Sequence, residues 1–157
     1  MSFIKAKEHL GEHGLSDRIM EFNTSSATVA EAAAAIGCRE EEIVKTLSFM
    51  VEDKPILIAA AGDAKIDNAK FKAEFHTKAK MLPFESVETL VGHAVGGVCP
   101  FGINEGVAVY LDQSVKRLSV LYPACGSSNS AVRLTLAELE GASHFEKWVD
   151  VCKDPQL

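Results

Sequence analysis

Hydrophobic residues recur at helical intervals near the start of the chain and in alternating or continuous runs through its middle. Phe3, Ile4, Ala6 and Leu10 fall on one face of a short amphipathic helix over residues 2–10, which Gly11 and Gly14 interrupt. Thr28 precedes a run of alanines that reaches Ile36. Its hydroxyl can accept from an early backbone N–H while Glu31, three residues on, completes a capping box, and Gly37 stops the helix. Residues 39–44 add one further helical turn, which leads into an apolar strand over residues 45–51. Glu52-Asp53-Lys54 suits a hairpin turn, so the apolar run 55–61 is expected to return as an antiparallel neighbour. Downstream, the pattern predicts helices over 66–75 and 86–91 and strands over 107–111, 118–122 and 131–134. Thr135 then caps a last helix over 136–140 that ends at Gly141. Strands and helices are mixed without the regular alternation of a doubly wound sheet.

Composition narrows the class. A chain of 157 residues with 47% hydrophobic content fits a single domain over residues 1–157 with its own core. No stretch is long and apolar enough for a membrane span, and the first residues lack a secretory signal's apolar segment, so a cytoplasmic protein with no membrane partner is expected. Cys38, Cys99, Cys125 and Cys152 are scattered, without paired spacing or nearby histidines, which points away from a disulfide framework and from structural zinc. A net charge of −6 excludes a generally basic surface; any RNA contact must be local. The one local excess of positive charge is Lys65, Lys70, Lys72, Lys78 and Lys80 against Asp67 and Glu74.

Candidate chemistry gathers at three places. Lys45 shares its parity with Leu47, Phe49 and Val51, so in a strand it lies on the core-facing side. It either snorkels its head into water or offers a compact charge to a phosphate or carbonyl. Gly96-Gly97-Val98-Cys99-Pro100-Phe101-Gly102 can bring main-chain amides close to a ligand, with Pro100 stiffening the turn. Gly126-Ser127-Ser128-Asn129-Ser130 supplies three hydroxyls and an amide able to orient water. No Walker lysine follows a glycine loop and no nucleophile elbow frames a serine. Cys99 or Cys125, activated by His93 or His76, is a rival thiol nucleophile; His9, His13 and His144 are assigned no chemistry.

Four ordered blocks carry a resemblance over nearly the whole chain: Thr28-Val29-Ala30-Glu31-Ala32-Ala33 with Ile36-Gly37, then Ile43-Val44-Lys45-Thr46-Leu47, then residues 96–102, and Gly126-Ser127 leading to Leu134. Together they resemble the YbaK/prolyl-tRNA synthetase-associated editing domain family. The resemblance implies a mixed α/β domain with a central, curved, largely antiparallel sheet that deacylates mischarged tRNA in trans. Its partners would be the acceptor end of an aminoacylated tRNA and a tRNA synthetase. Lys45 would anchor the tRNA end or its aminoacyl group; Thr46, Gly96, Gly97, Val98, Pro100, Gly102, Gly126 and Ser127 would shape the pocket. An activated water would hydrolyse the ester without metal or cofactor, with Ser128 or Asn129 placing it. Some family members carry a histidine or basic residue shortly after the second glycine, where this chain has Ser128, Asn129 and Ser130. That leaves alanine, serine, cysteine and threonine open as the amino acid. The competing reading is a non-catalytic module that binds an aminoacyl or nucleotide-like ligand.

Overall fold

The computed structural model describes residues 2–154. Its elements are α1 (Ser2–Glu12), β1 (Ile19–Glu21), α2 (Val29–Ile36), β2 (Ile43–Val51), β3 (Lys54–Ala61), α3 (Asn68–Phe75), α4 (Phe84–Val91), β4 (Ala108–Asp112), β5 (Val120–Pro123), β6 (Ser130–Val132), β7 (Leu134–Thr135), α5 (Leu136–Ser143) and β8 (Lys147–Val149). The two threonine caps form as the sequence implies. Thr28 with Glu31 opens α2 and Thr135 with Glu138 opens α5, each as a reciprocal capping box. Gly37 closes α2 in the left-handed conformation. The short strands β1 and β8 carry too few residues to declare themselves by pattern, and the expected strand over 131–134 is divided between β6 and β7.

Six strands form one curled sheet in the order β7-β5-β2-β3-β4-β8, and β1 pairs with β6 in a separate two-stranded ladder. The longest ladder is the antiparallel β2–β3 hairpin, in register from Val44↔Ala61 to Val51↔Lys54. Glu52 and Asp53 make its turn with φ of 51° and 63°, the pair of left-handed residues that matches the twist of a two-residue hairpin. Antiparallel pairing also joins β5 to β7, while β5, β4 and β8 enter in parallel beside β2, β3 and β4 respectively. The sheet is therefore mixed, with its antiparallel character concentrated in the hairpin. Parallel partners arrive from distant sequence, so hydrophobic pattern alone carries no sign of their direction.

The hairpin sorts the core. Phe49, Ile56, Ile58 and Ala60 pack on one face against Phe71 of α3. On the other face Val44, Ala59 and Ala61 meet Ala6 and Leu10 of α1 and Leu139 and Ala142 of α5, and Leu57 meets Val87 and Val91 of α4. Because β3 is covered on both faces, its residues from Ile56 to Ala61 are all buried and read as a continuous apolar run.

Candidate active site

β2 lies between two neighbours that do not cover its whole length. β5 reaches only Ile43 and Val44, and the segment around Met81 pairs farther along, through Met50 N–H to Lys80 C=O at 2.9 Å and Leu82 N–H to Ser48 C=O at 3.2 Å. Strand alternation then directs the N–H and C=O of Thr46 into the uncovered interval. A cavity of about 420 Å³ occupies this gap. Lys45, Thr46, Gly96 and Val98 line it, together with Ser130 of the second glycine turn and with Ser26, Tyr122 and Phe84, which the sequence did not single out. The Thr46 hydroxyl oxygen is buried and has no hydrogen-bond partner among the described residues. An unpartnered polar atom in such a wall costs free energy unless a ligand or water meets it.

The stem of Lys45 borders this cavity, and its ammonium donates to the Ala64 carbonyl beyond the end of β3. Burial lowers its pKa from the ordinary lysine value; Cys152 and Asp63 act in the opposite sense, and Lys65 reinforces the lowering. Asp63, Lys65 and Cys152 all line a second, more polar cavity of about 720 Å³. The lysine is thus half-buried where two hollows approach each other, neither sunk in the core nor projecting into bulk solvent. Among the described residues a single carbonyl oxygen holds the head, which leaves it other donor protons for a ligand.

The two glycine loops do converge. Gly126 N–H donates to Gly97 C=O at 3.0 Å, and a Cβ on Gly97 would stand 2.6 Å from Ser127 N, so only glycine permits this approach. That contact also occupies the Gly126 amide, and Gly97 N–H is taken by Ala94 C=O at 3.0 Å. The N–H groups of Gly97 and Gly126 are thus both committed within the fold. The N–H groups of Gly96 and Val98 have no acceptor among the described residues, and both residues face the cavity. Gly97, Pro100, Gly102, Gly126 and Ser127 stand behind the wall as supports. Much of this support comes from α1: the Ser2 hydroxyl donates to Gly126 C=O, and His9 Nδ1 accepts from Gly102 N–H at 3.0 Å.

Ser128 and Asn129 also lie behind the wall. The Ser128 carbonyl accepts from Ser26 N–H at 2.6 Å, while the Asn129 side chain donates to Phe22 C=O at 3.1 Å and accepts from the Ser127 hydroxyl at 3.0 Å. These contacts fasten the second loop to the chain before α2. The residue of this loop that lines the cavity is Ser130, which is buried and has its hydroxyl bonded to that of Ser127.

The thiol alternative meets adverse electrostatics. Cys99 is fully buried, and burial pushes its pKa far up; burial likewise pushes Cys125 to about 12. His93 Nε2 donates to Phe101 C=O at 2.6 Å and lies 3.5 Å from Cys99 Sγ, so its proton already has an acceptor and this nitrogen is no base for the thiol. His76 closes α3 as an exposed, left-handed residue and lines neither cavity. His9, His13 and His144, which had no partners in sequence, are brought together on the surface away from the cavity, with His13 and His144 Nε2 atoms 3.0 Å apart. His9 has both ring nitrogens engaged, donating to Ala142 C=O at 2.7 Å besides accepting from Gly102.

A family model described as aminoacyl-tRNA editing domain matches residues 24–142. The chain belongs to this family. An uncharacterized protein, YwhH of Bacillus subtilis, is 49% identical over 155 residues, covering 98% of this chain and 99% of that protein. A proline–tRNA ligase of the same organism is 28% identical over 131 residues; the match takes in 83% of this chain but 21% of the ligase, so the editing-domain chain spans about a fifth of that relative. Among solved structures, one described as a "putative trans-editing enzyme for prolyl tRNA synthetase" superposes with a TM-score of 0.86 at 27% identity, over 98% of both chains. Another, described as hypothetical protein APE2540, has a TM-score of 0.84 at 27% identity, covering 95% of this chain and 99% of that one. No helix among the described residues of the editing domain is long and apolar enough to cross a membrane.

Proposed function

We propose that this editing-domain protein is a trans-acting aminoacyl-tRNA deacylase, acting on the ester that joins a small amino acid to the tRNA 3′ end. The observation that carries the reading is the shared cavity of Lys45, Thr46, Gly96 and Val98 in a chain that belongs to the editing family. The aminoacyl group enters the gap beside β2, where Thr46 offers an N–H, a C=O and a hydroxyl to its polar atoms. Lys45 holds the negatively charged end of the RNA near the ester. Water attacks the ester carbon, the carbonyl oxygen takes up negative charge, and the N–H groups of Gly96 and Val98 stabilise that charge. A carbon–oxygen bond to water forms, the bond to the ribose oxygen breaks, and the proton lost by the water ends on that ribose oxygen.

The water is activated by position and by the ribose hydroxyl of the substrate rather than by a metal. The one group of three potential ligands found among the described residues, His9, His13 and His144, lies elsewhere and is partly committed to backbone hydrogen bonds. Placement of reactants in a water-poor site supplies much of the acceleration. Ser128, Asn129 and the buried glycines act as positioning residues, through the loop that presents Gly96.

A panel of tRNAs carrying alanine, serine, cysteine or threonine, incubated with the purified protein, tests the proposal. Release of one or more of these amino acids is expected, and Lys45→Ala is expected to lower kcat/KM by about 10²–10³-fold while leaving the melting temperature nearly unchanged. Binding of charged tRNA without release of any amino acid would leave a non-catalytic module in its place.

A further inference from the structure

The described surface carries four exposed large hydrophobic residues, Ile4, Met81, Phe84 and Val95, and three of them rim the cavity beside β2. Phe84 is the most open of these at 75% exposure. It begins α4, whose packing is carried by Val87 and Val91, while Leu82 anchors the preceding segment. An aromatic ring is therefore held at the mouth of the candidate site without contributing to the core beneath it. Scattered exposed apolar residues are ordinary, but three around one opening form a patch.

The segment that leads into this rim, residues 75–84, carries only positive charge, while the exposed Glu85 follows Phe84 directly. No acidic residue occurs between Glu74 and Glu85, and Glu74 is engaged by Lys147 at 2.7 Å. Lys78 and Lys80, on the segment that leads into Met81, are exposed and form no ion pair among the described residues. By contrast, Lys70 from the same basic stretch is held by Asp154 at 2.8 Å and Asp150 at 3.2 Å. Of the four lysines of the stretch without an ion pair among the described residues, Lys65, Lys72, Lys78 and Lys80, the last two lie on the segment next to the apolar rim, in a protein whose overall charge repels polyanions.

We infer that Phe84, with Met81 and Val95 beside it, is a stacking platform for an unpaired nucleobase at the RNA 3′ end, and that Lys78 and Lys80 meet the adjoining phosphates. The inference rests on the deacylase reading: an amino acid esterified to ribose and buried in the cavity must leave its base at the mouth. Aromatic rings accept any base by its π-face, and neighbouring ammonium groups supply the local attraction that the acidic whole does not.

The test uses uncharged single-stranded C-C-A trinucleotide as the probe and a Phe84→Trp variant as the reporter. Added trinucleotide is expected to quench the new indole saturably and to leave wild-type fluorescence, which comes from Trp148, unchanged. Phe84→Ala is expected to weaken trinucleotide binding about tenfold and to raise KM for charged tRNA with little change in kcat, and Phe84→Trp to restore both. Lys78→Gln with Lys80→Gln should reduce the salt dependence of binding. Absence of quenching, or an Ala variant that binds and turns over like wild type, overturns the platform while the deacylase reading stands. Phe84-dependent trinucleotide binding in a protein that hydrolyses no charged tRNA does the reverse. If Phe84→Ala abolishes association with a tRNA ligase and leaves trinucleotide binding intact, the rim is a protein contact and the inference fails.

Discussion

The two strands of the central hairpin have nearly the same apolar character and very different surroundings. From Ile56 onward β3 is flanked by β2 and β4 and buried on both faces, so its main-chain groups and side chains are committed to the fold there. β2 has β3 on one side and an interrupted partner on the other, and the interruption exposes Thr46 to a cavity. A strand keeps an open edge here through what fails to cover it rather than through unusual residues of its own. The same backbone groups that rigidify β3 face the open cavity at Thr46, where the proposed deacylase would use them.

Substitutions can break this contrast. Ile58→Ala, in the covered strand, is expected to destabilise the protein by about 2–5 kcal/mol, read by urea unfolding, with the molecules that remain folded keeping their activity. Gly97→Ala should cost about 1–3 kcal/mol, because the added methyl meets the Gly126–Ser127 backbone; here activity should fall more than stability, since the displaced loop carries Gly96 and Val98. Thr46→Pro removes an N–H that faces the cavity and not β3, so it should cost less stability than Ile58→Ala while abolishing substrate binding. A Thr46→Pro protein that fails to fold would show that the gap in the sheet is closed by contacts other than those described.

A smaller effect is set by pH. Burial holds the imidazoles of His93 and His9 below the ordinary histidine pKa, outweighing hydrogen bonds to Phe101 and Ala142 that act in the opposite sense. The unfolded chain therefore takes up protons more readily than the folded one. The stabilisation that rests on the neutral rings is complete above the ordinary histidine pKa and declines as pH falls through it. Melting temperatures should fall on acidification through the range about pH 7 to pH 5, and a His93→Gln variant should show a shallower decline. Because His93 fastens Phe101 and His9 fastens Gly102, activity should weaken over the same interval.

Much of the architecture could be read in advance where a local rule sufficed. The capping boxes at Thr28 and Thr135, the stop at Gly37 and the hairpin at Glu52-Asp53 are all short-range devices, and each occurs where the residues indicate. The short strands β1 and β8 exist only through pairing with β6 and β4, which local pattern does not report. At the candidate site, Lys45 and Gly96 could be picked out because a core-parity lysine and a glycine pair are visible in one dimension. Ser130 stands out only as one of three hydroxyls in a polar turn, and Phe84 not at all, since a phenylalanine before a helix is ordinary until the fold places it on a cavity wall.

By itself the sequence determined the longer elements, their caps and turns, the parity of Lys45 and the family to which the chain belongs, because these depend on residue types at fixed short spacings. Tertiary structure decided which amides remained unengaged, which side of β2 stayed open, and that the Lys45 head rests on Ala64 rather than on a glycine loop. Those outcomes follow from which distant segments compete for the same main-chain groups. A hydrogen bond formed between two loops, such as Gly126 to Gly97, removes a donor from chemistry just as it brings the walls of the site together.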